Sequence, residues 1–220
     1  MTCRAGAVGT FPPVTTYLVR LWVPDRPGAL GQIASRIGAV HGDVIGIDIL
    51  ERGGGRAIDQ LIVTLPDPGL VDLLVAEIGQ VDEVAVEEIR AIDPARRDAP
   101  IAALEAATRL VEALPEDRLA QLCRGLVDLF DGDWASVITL SPPTTVEHCG
   151  QAPSAGWLAA FIEGSRHLAP GDDAGAPADL AWAALDGCAM AVFVGRGHST
   201  FLRRERDQLG LLGRIVAGLA

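Results

Sequence analysis

The sequence predicts an α+β protein built from two small domains in succession. Three observations carry this. From Tyr17 to Ile92, segments of period two and of helical period alternate in the order β-α-β-β-α-β. A stretch unsuited to either, Asp93-Pro94-Ala95-Arg96-Arg97-Asp98, follows. Beyond it, paired helical segments lead into strands joined by tight turns, a different order of elements.

The first domain reads element by element. Residues 1–16 carry Gly, Thr and Pro12-Pro13 without periodicity and are expected to form a flexible tail. Tyr17, Val19, Leu21 and Val23 then alternate with Leu18, Arg20 and Trp22, which predicts a strand. Pro24-Asp25-Arg26-Pro27-Gly28 breaks it. Leu30, Ile33, Ile37 and Val40 recur at helical spacing, with Pro27 suited to the first helical turn and Asp25 a candidate cap. Gly42 stops the helix. Ile45, Ile47 and Ile49 predict a second strand, Gly53-Gly54-Gly55 a hairpin turn, and Leu61, Val63 and Leu65 a third strand. Asp67-Pro68 opens a second helix with Leu70, Leu73, Leu74, Ile78 and Val81 on one face, and residues 84–92 form a fourth strand. This order is the ferredoxin-like split βαβ arrangement, an antiparallel sheet with both helices on one face. Trp22 and Arg20 fall on the face those helices leave open, which suggests docking of another domain or subunit there.

Residues 94–100 are expected to be a linker and 101–220 a second domain. Ile101, Leu104, Leu110, Val111 and Leu114 form one apolar stripe. Pro115 ends it, and Leu119, Leu122, Leu126, Leu129 and Phe130 form the next. Residues 134–140 read as a strand. Residues 141–178 are poorly patterned apart from a short helix near Trp157–Ile162. Leu180–Leu185 and Ala189–Val194 read as a strand pair turned at Asp186-Gly187, and a helix from about Leu202 closes the chain.

Composition narrows the function. The apolar share of 49% suffices for a real core. The net charge is −11, and residues 17–93 (13 acids, 6 Arg) and 94–220 (16 acids, 11 Arg) are both acidic. Neither shows a basic stripe, so no nucleic-acid partner is expected. No apolar run reaches the length of a membrane span, and no signal peptide is evident, so a cytoplasmic location is expected. Cys3, Cys123, Cys149 and Cys188 include no CxxC pair, and His148, His167 and His198 are scattered, so no metal site, no cofactor and no cysteine nucleophile are expected. Gly53-Gly54-Gly55 lacks the Lys-Ser or Lys-Thr of a phosphate loop and reads as a turn.

The segment Val23-Pro24-Asp25-Arg26-Pro27-Gly28-Ala29-Leu30 with Ile33, placed between the first strand and first helix of a βαββαβ unit, resembles the signature of ACT domains. The resemblance covers residues 17–93. It implies a regulatory module that binds amino acids or similar small molecules between two ACT domains, hence a homodimer. It also implies a site at Asp25, Arg26, Pro27, Gly28, Ala29 and Leu30 together with Asp43, Val44 and Ile45 at the start of the second strand. ACT domains that bind amino acids often clasp them with Asn side chains. This chain has no Asn, and Asp25 and Val44 stand near the expected places. Residues 101–220 resemble a GAF-like domain, through the paired helix leading into Trp134–Ile138, the strand ending at Val194-Gly195, and Phe201 before the last helix.

Elementary chemistry agrees with the first resemblance. Unbonded N–H groups at a helix start favour a carboxylate, and Gly28 permits close approach. No catalytic constellation stands out in 94–220, so a non-catalytic regulatory protein is expected. A pure interaction or oligomerisation module without a ligand is the alternative.

Overall fold

The computed structural model describes residues 14–93, 99–165, 179–197 and 199–219. The tail up to residue 13, most of the expected linker, the Gly/Asp/Pro stretch at 170–177, His167 and His198 lie outside the described residues. The chain divides into two compact units, 1–96 and 97–220.

The first unit has strands β1 (Thr15–Pro24), β2 (Asp43–Gly53), β3 (Arg56–Leu65) and β4 (Ala85–Ile92), and helices α1 (Ala29–Ala39) and α2 (Val71–Ile78). Its antiparallel sheet has the order β2-β3-β1-β4, which is the ferredoxin-like arrangement and gives the unit an ACT-like fold. The alternation in β1 dictates the core. Tyr17, Val19, Leu21 and Val23 face the helices and are buried with Ile33, Ile37, Leu74 and Ile78. The β2–β3 turn is the expected glycine turn. Gly54 and Gly55 have φ of 59° and 76°, the two left-handed residues that a tight hairpin requires.

Several expectations are corrected. The second helix begins as a 3-10 turn, Pro68–Leu70, in which Asp67 accepts from the Gly69 N–H at 2.8 Å. Leu73 is 47% exposed, because in so short a helix the inward stripe is only Leu74 and Ile78 wide. Strand β2 lies at the sheet edge, and Ile45, Ile47 and Ile49 are 56, 53 and 41% exposed. On the sheet face away from the helices, Thr16, Leu18, Arg20 and Ile58 are buried, while Trp22 is 37% exposed with the Arg56 guanidinium 5.5 Å from its ring.

The second unit has α3 (Ala99–Glu112), α4 (Arg118–Phe130), β5 (Trp134–Leu140), β6 (Pro143–Gly150), α5 (Ala155–Ser165), β7 (Leu180–Leu185), β8 (Met190–Gly195) and α6 (Arg203–Leu219). Its antiparallel sheet runs β6-β5-β8-β7. One core joins the sheet to α3, α4 and α6, and a second joins it to α5. Sequence reading misses β6, an edge strand opened by Pro143 and dominated by polar residues, so no apolar alternation marks it. It also misassigns the α3 stripe. Leu110 and Ala106 face the core, whereas Ile101, Leu104, Val111 and Leu114 are exposed.

A buried arginine ties this unit together. Arg196 follows β8 and donates to the carbonyls of Phe130 (2.7 Å), Ser199 (3.1 Å) and Thr200 (2.6 Å). It pairs with both Glu205 oxygens at 2.9 and 2.6 Å and lies 4.1 Å over the Phe201 ring. It thereby links the end of α4, the end of β8 and the start of α6. Arg196→Ala should cost about 3–5 kcal/mol, because it strands Glu205 and those carbonyls. Chemical denaturation checks this against Arg214→Ala on the exposed face of α6, which should stay within about 0.5 kcal/mol of wild type.

Candidate functional site

The first unit turns sharply where β1 meets α1. Pro24 ends the strand, the Asp25 N–H donates to the Gly55 carbonyl (2.9 Å), and the Arg26 N–H to the Pro24 carbonyl (2.8 Å). These bonds pin the corner to the β2–β3 turn. Gly28, not Asp25, is the residue at the helix cap. It has φ 88°, and no side chain caps the helix. The expectation that Pro27 opens the helix is corrected with it, since α1 starts at Ala29. Ala29 donates to the Arg26 carbonyl (3.3 Å) and Gln32 to the Gly28 carbonyl (3.1 Å). The Leu30 and Gly31 N–H groups have no acceptor among the described residues. A Cβ on Gly28 would meet nothing within 4 Å, so the space beside Gly28 is open. Together they form a place for an anion at the positive end of a helix.

Strand β3 carries an inward acid that sequence reading missed. Asp59 lies directly across from Leu21 on β1 and Ile49 on β2, so its side chain joins the inward row of Ala57, Leu61, Val63 and Leu65. It is 5% exposed, and its Oδ1 has no hydrogen-bond partner. Burial pushes its pKa up. The Arg52 guanidinium pulls it down, and the Asp25 carboxylate pushes it further up. Arg52 stands 4.0 Å from the Asp25 carboxylate, with both side chains partly open to solvent. Arg52 and Asp25 are thus the charged groups that act on Asp59. Extending the β3 alternation back from Leu61 to Asp59 would have found it.

The site residues expected from the resemblance separate into two groups. Asp25, Arg26, Pro27 and Gly28 are exposed, Ala29 is buried and Leu30 half-buried at the corner. Asp43, Val44 and Ile45 begin β2, and Asp43 pairs with Thr64 while Arg52 pairs with Ala57. The nine steps from Asp43 to Arg52 span about 30 Å at ~3.3 Å each. One chain therefore does not bring the two groups together.

Other candidates offer less. Burial pushes the Cys123 thiol up to about 12, with Glu147 and Cys149 adding to it, so it is no nucleophile at neutral pH. Among the described residues, no three His, Cys, Asp or Glu side chains converge to hold a metal, and no helix is long and apolar enough to cross a membrane. A shallow groove of about 470 Å³ beside Gln32, Arg36 and Gln80 offers no free cation, because Arg36 already bonds Glu77 (3.2 Å) and Gln80 (2.8 Å).

The first unit is thus an ACT-like βαββαβ module with an open, charged corner. No protein-family profile and no curated protein matches the chain. Solved structures do. An uncharacterized protein from Thermotoga maritima is 20% identical, covering 37% of this chain and 100% of its own, with a TM-score of 0.30. The ACT domain from GTP pyrophosphokinase of Chlorobium tepidum is 15% identical, covering 36% and 100%, with a TM-score of 0.29. A formyltetrahydrofolate deformylase from Pseudomonas putida is 15% identical, covering 44% and 38%, with a TM-score of 0.29.

Asp59 makes stability depend on pH. Its pKa is raised in the fold above the unfolded value near 3.8, so the fold favours the neutral acid. Its contribution is fully present below that value and is lost as pH rises through the folded pKa. Asp59→Asn should therefore match wild type at the acid end and become more stable than wild type toward neutrality. Thermal melts of both proteins across pH check the sign.

Proposed function

We propose that this chain is a non-catalytic regulatory protein whose ACT-like unit binds a small metabolite, an amino acid or similar, at the β1–α1 corner. The observation that carries this is the corner itself. The Leu30 and Gly31 N–H groups at the start of α1 have no acceptor among the described residues, and the space beside Gly28 is open. A carboxylate placed there is stabilised by the N–H groups and the helix dipole by about 0.3–1 kcal/mol when exposed, and up to ~2 kcal/mol when partly buried.

The working form in this reading is a homodimer. Edge strand β2 carries three exposed isoleucines. Antiparallel pairing of two β2 strands about Ile47 covers them. It also carries Asp43–Ile45 of one copy toward the Asp25–Leu30 corner of the other, joining the two groups that a single chain keeps apart. The GAF-like second unit is read as a sensor or a docking module.

Thermal-shift screening with the proteinogenic L-amino acids tests the ligand reading. At least one should raise the melting temperature, and Asp25→Ala should weaken its binding about tenfold, the worth of one charge-assisted hydrogen bond. Asp25 caps nothing, so this substitution leaves the fold intact. No shift with any of them would favour the interaction-module reading. For the dimer, Ile47→Lys places a charge on the edge and should yield a monomer in light scattering where wild type is dimeric. A monomeric wild type would defeat the dimer.

A further inference from the structure

We propose that α3 is a second contact between copies of this chain, in which its outward stripe of Ile101, Leu104, Thr108 and Val111 pairs in parallel with the same stripe of a second copy. The inference rests on the homodimer reading and adds a contact made by the second unit.

The stripe is what the packing of α3 leaves over. Ala106 and Leu110 turn inward onto the core shared with α4 and α6. Ile101, Leu104 and Val111 lie on the other face and are 50, 69 and 57% exposed, with Thr108 exposed among them. A single exposed leucine needs no explanation, but an apolar row does. The row recurs at steps of three, four and three residues, the a and d positions of a coiled-coil seam over two heptads. That spacing suits another helix as partner. Thr108 fits such a seam. Its hydroxyl donates to the Leu104 carbonyl at 2.9 Å, so the donor is satisfied within the helix and the methyl group can face a dry contact.

Charge and tether make the partner a second α3. One flank of the stripe carries Glu105 and Glu112, and the other carries Pro100 and Ala107. Parallel pairing in register sets each glutamate against the uncharged flank of the other copy. Antiparallel pairing sets glutamate against glutamate. Two identical stripes therefore fit in one orientation without like-charge contact, and a two-fold axis generates that contact. The tether is short. Seven residue steps separate Ile92 at the end of β4 from Ala99 at the start of α3, a span of at most about 25 Å. A dimer formed through the first unit thus holds a second α3 near the first at a concentration on the order of millimolar. This help is needed, because two heptads fall short of the roughly three to four that mark a free-standing coiled coil. The α3 seam reinforces a dimer held by another contact and does not make one alone.

The test is sedimentation velocity of the full chain and its variants, joined to disulfide trapping. Leu104→Arg puts a charge into the seam and should raise the dimer dissociation constant about tenfold or more. Leu211→Arg on α6, at a leucine that is 56% exposed and off the stripe, should leave it unchanged. Thr108→Cys should form a disulfide-linked dimer under copper-phenanthroline oxidation, over the background of the native cysteines, because parallel register sets the two copies of this position opposite each other. Arg109→Cys, on the same helix but outside the seam, should not. If wild type is dimeric and Leu104→Arg dissociates no more readily, the α3 contact is overturned and the β2 edge stands. If Leu104→Arg dissociates but Thr108→Cys links no better than Arg109→Cys, the parallel seam is overturned. A lower melting temperature for Leu104→Arg, at concentrations where both proteins are monomeric, overturns it too, since the stripe is then covered within its own chain. If Ile47→Lys stays dimeric while Leu104→Arg is monomeric, the β2 edge falls and the α3 contact stands. A monomeric wild type overturns both.

Discussion

The first unit depends on β1, a strand bonded on both sides and buried on both faces. Its residues pair with β3 from Thr15 to Pro24 and with β4 from Thr16 to Trp22. Val19, Leu21 and Val23 are sealed against the helices, each contributing about 1.5–3 kcal/mol of transfer free energy. Leu18 and Arg20 are buried on the opposite face, where Arg20 lies 3.7 Å from Glu88 and Arg90 lies 2.8 Å from the same carboxylate. A strand held this way cannot shift register without moving a whole row of side chains. Its C-terminal end is therefore fixed, and so is the corner that follows. The Asp25 bond to the Gly55 carbonyl extends this rigidity to the turn. The N–H groups of Leu30 and Gly31 are held in place by this frame, which in the proposed ligand reading lowers the ordering cost of binding.

Periodicity made the frame legible. The alternation of Tyr17 to Val23, the helical spacing of Ile33 and Ile37, and the glycine turn each act through local rules that hold wherever the elements pack. What periodicity does not carry is which strand becomes an edge. Ile45, Ile47 and Ile49 look like a core strand, and only the order β2-β3-β1-β4 exposes them. The same blindness moved the α3 stripe. Leu104 and Leu110 are alike in sequence, yet one is exposed and the other buried, because only one face of α3 meets α4 and α6. Strand β6 failed for the opposite reason, since an edge strand with polar alternation resembles a loop.

The site was legible only where a motif marks it. Asp25 to Leu30 stand out through Pro27 and Gly28, whose backbone chemistry is visible in their identity. The roles within the motif were not legible, since the left-handed Gly28 displaced Asp25 from the cap it was expected to fill. Asp59 was hidden, because an acid on an inward row contradicts the pattern that defines the row. Such a contradiction is the more informative signal. A carboxylate that burial alone would exclude points to a function whose stability cost is repaid elsewhere.

The separation of the two groups of site residues along β2 has a thermodynamic consequence under the dimer reading. A site completed by a second copy exists only in the dimer, so its ligand stabilises the dimer by mass action. Reciprocity then requires that protein concentration change ligand affinity by the same coupling. The exposed isoleucines supply an attraction that needs no ligand. Hydrophobic contact sets the baseline of assembly and the metabolite adjusts it. That division suits a sensor, because an assembly driven by the isoleucines alone would be insensitive to its ligand.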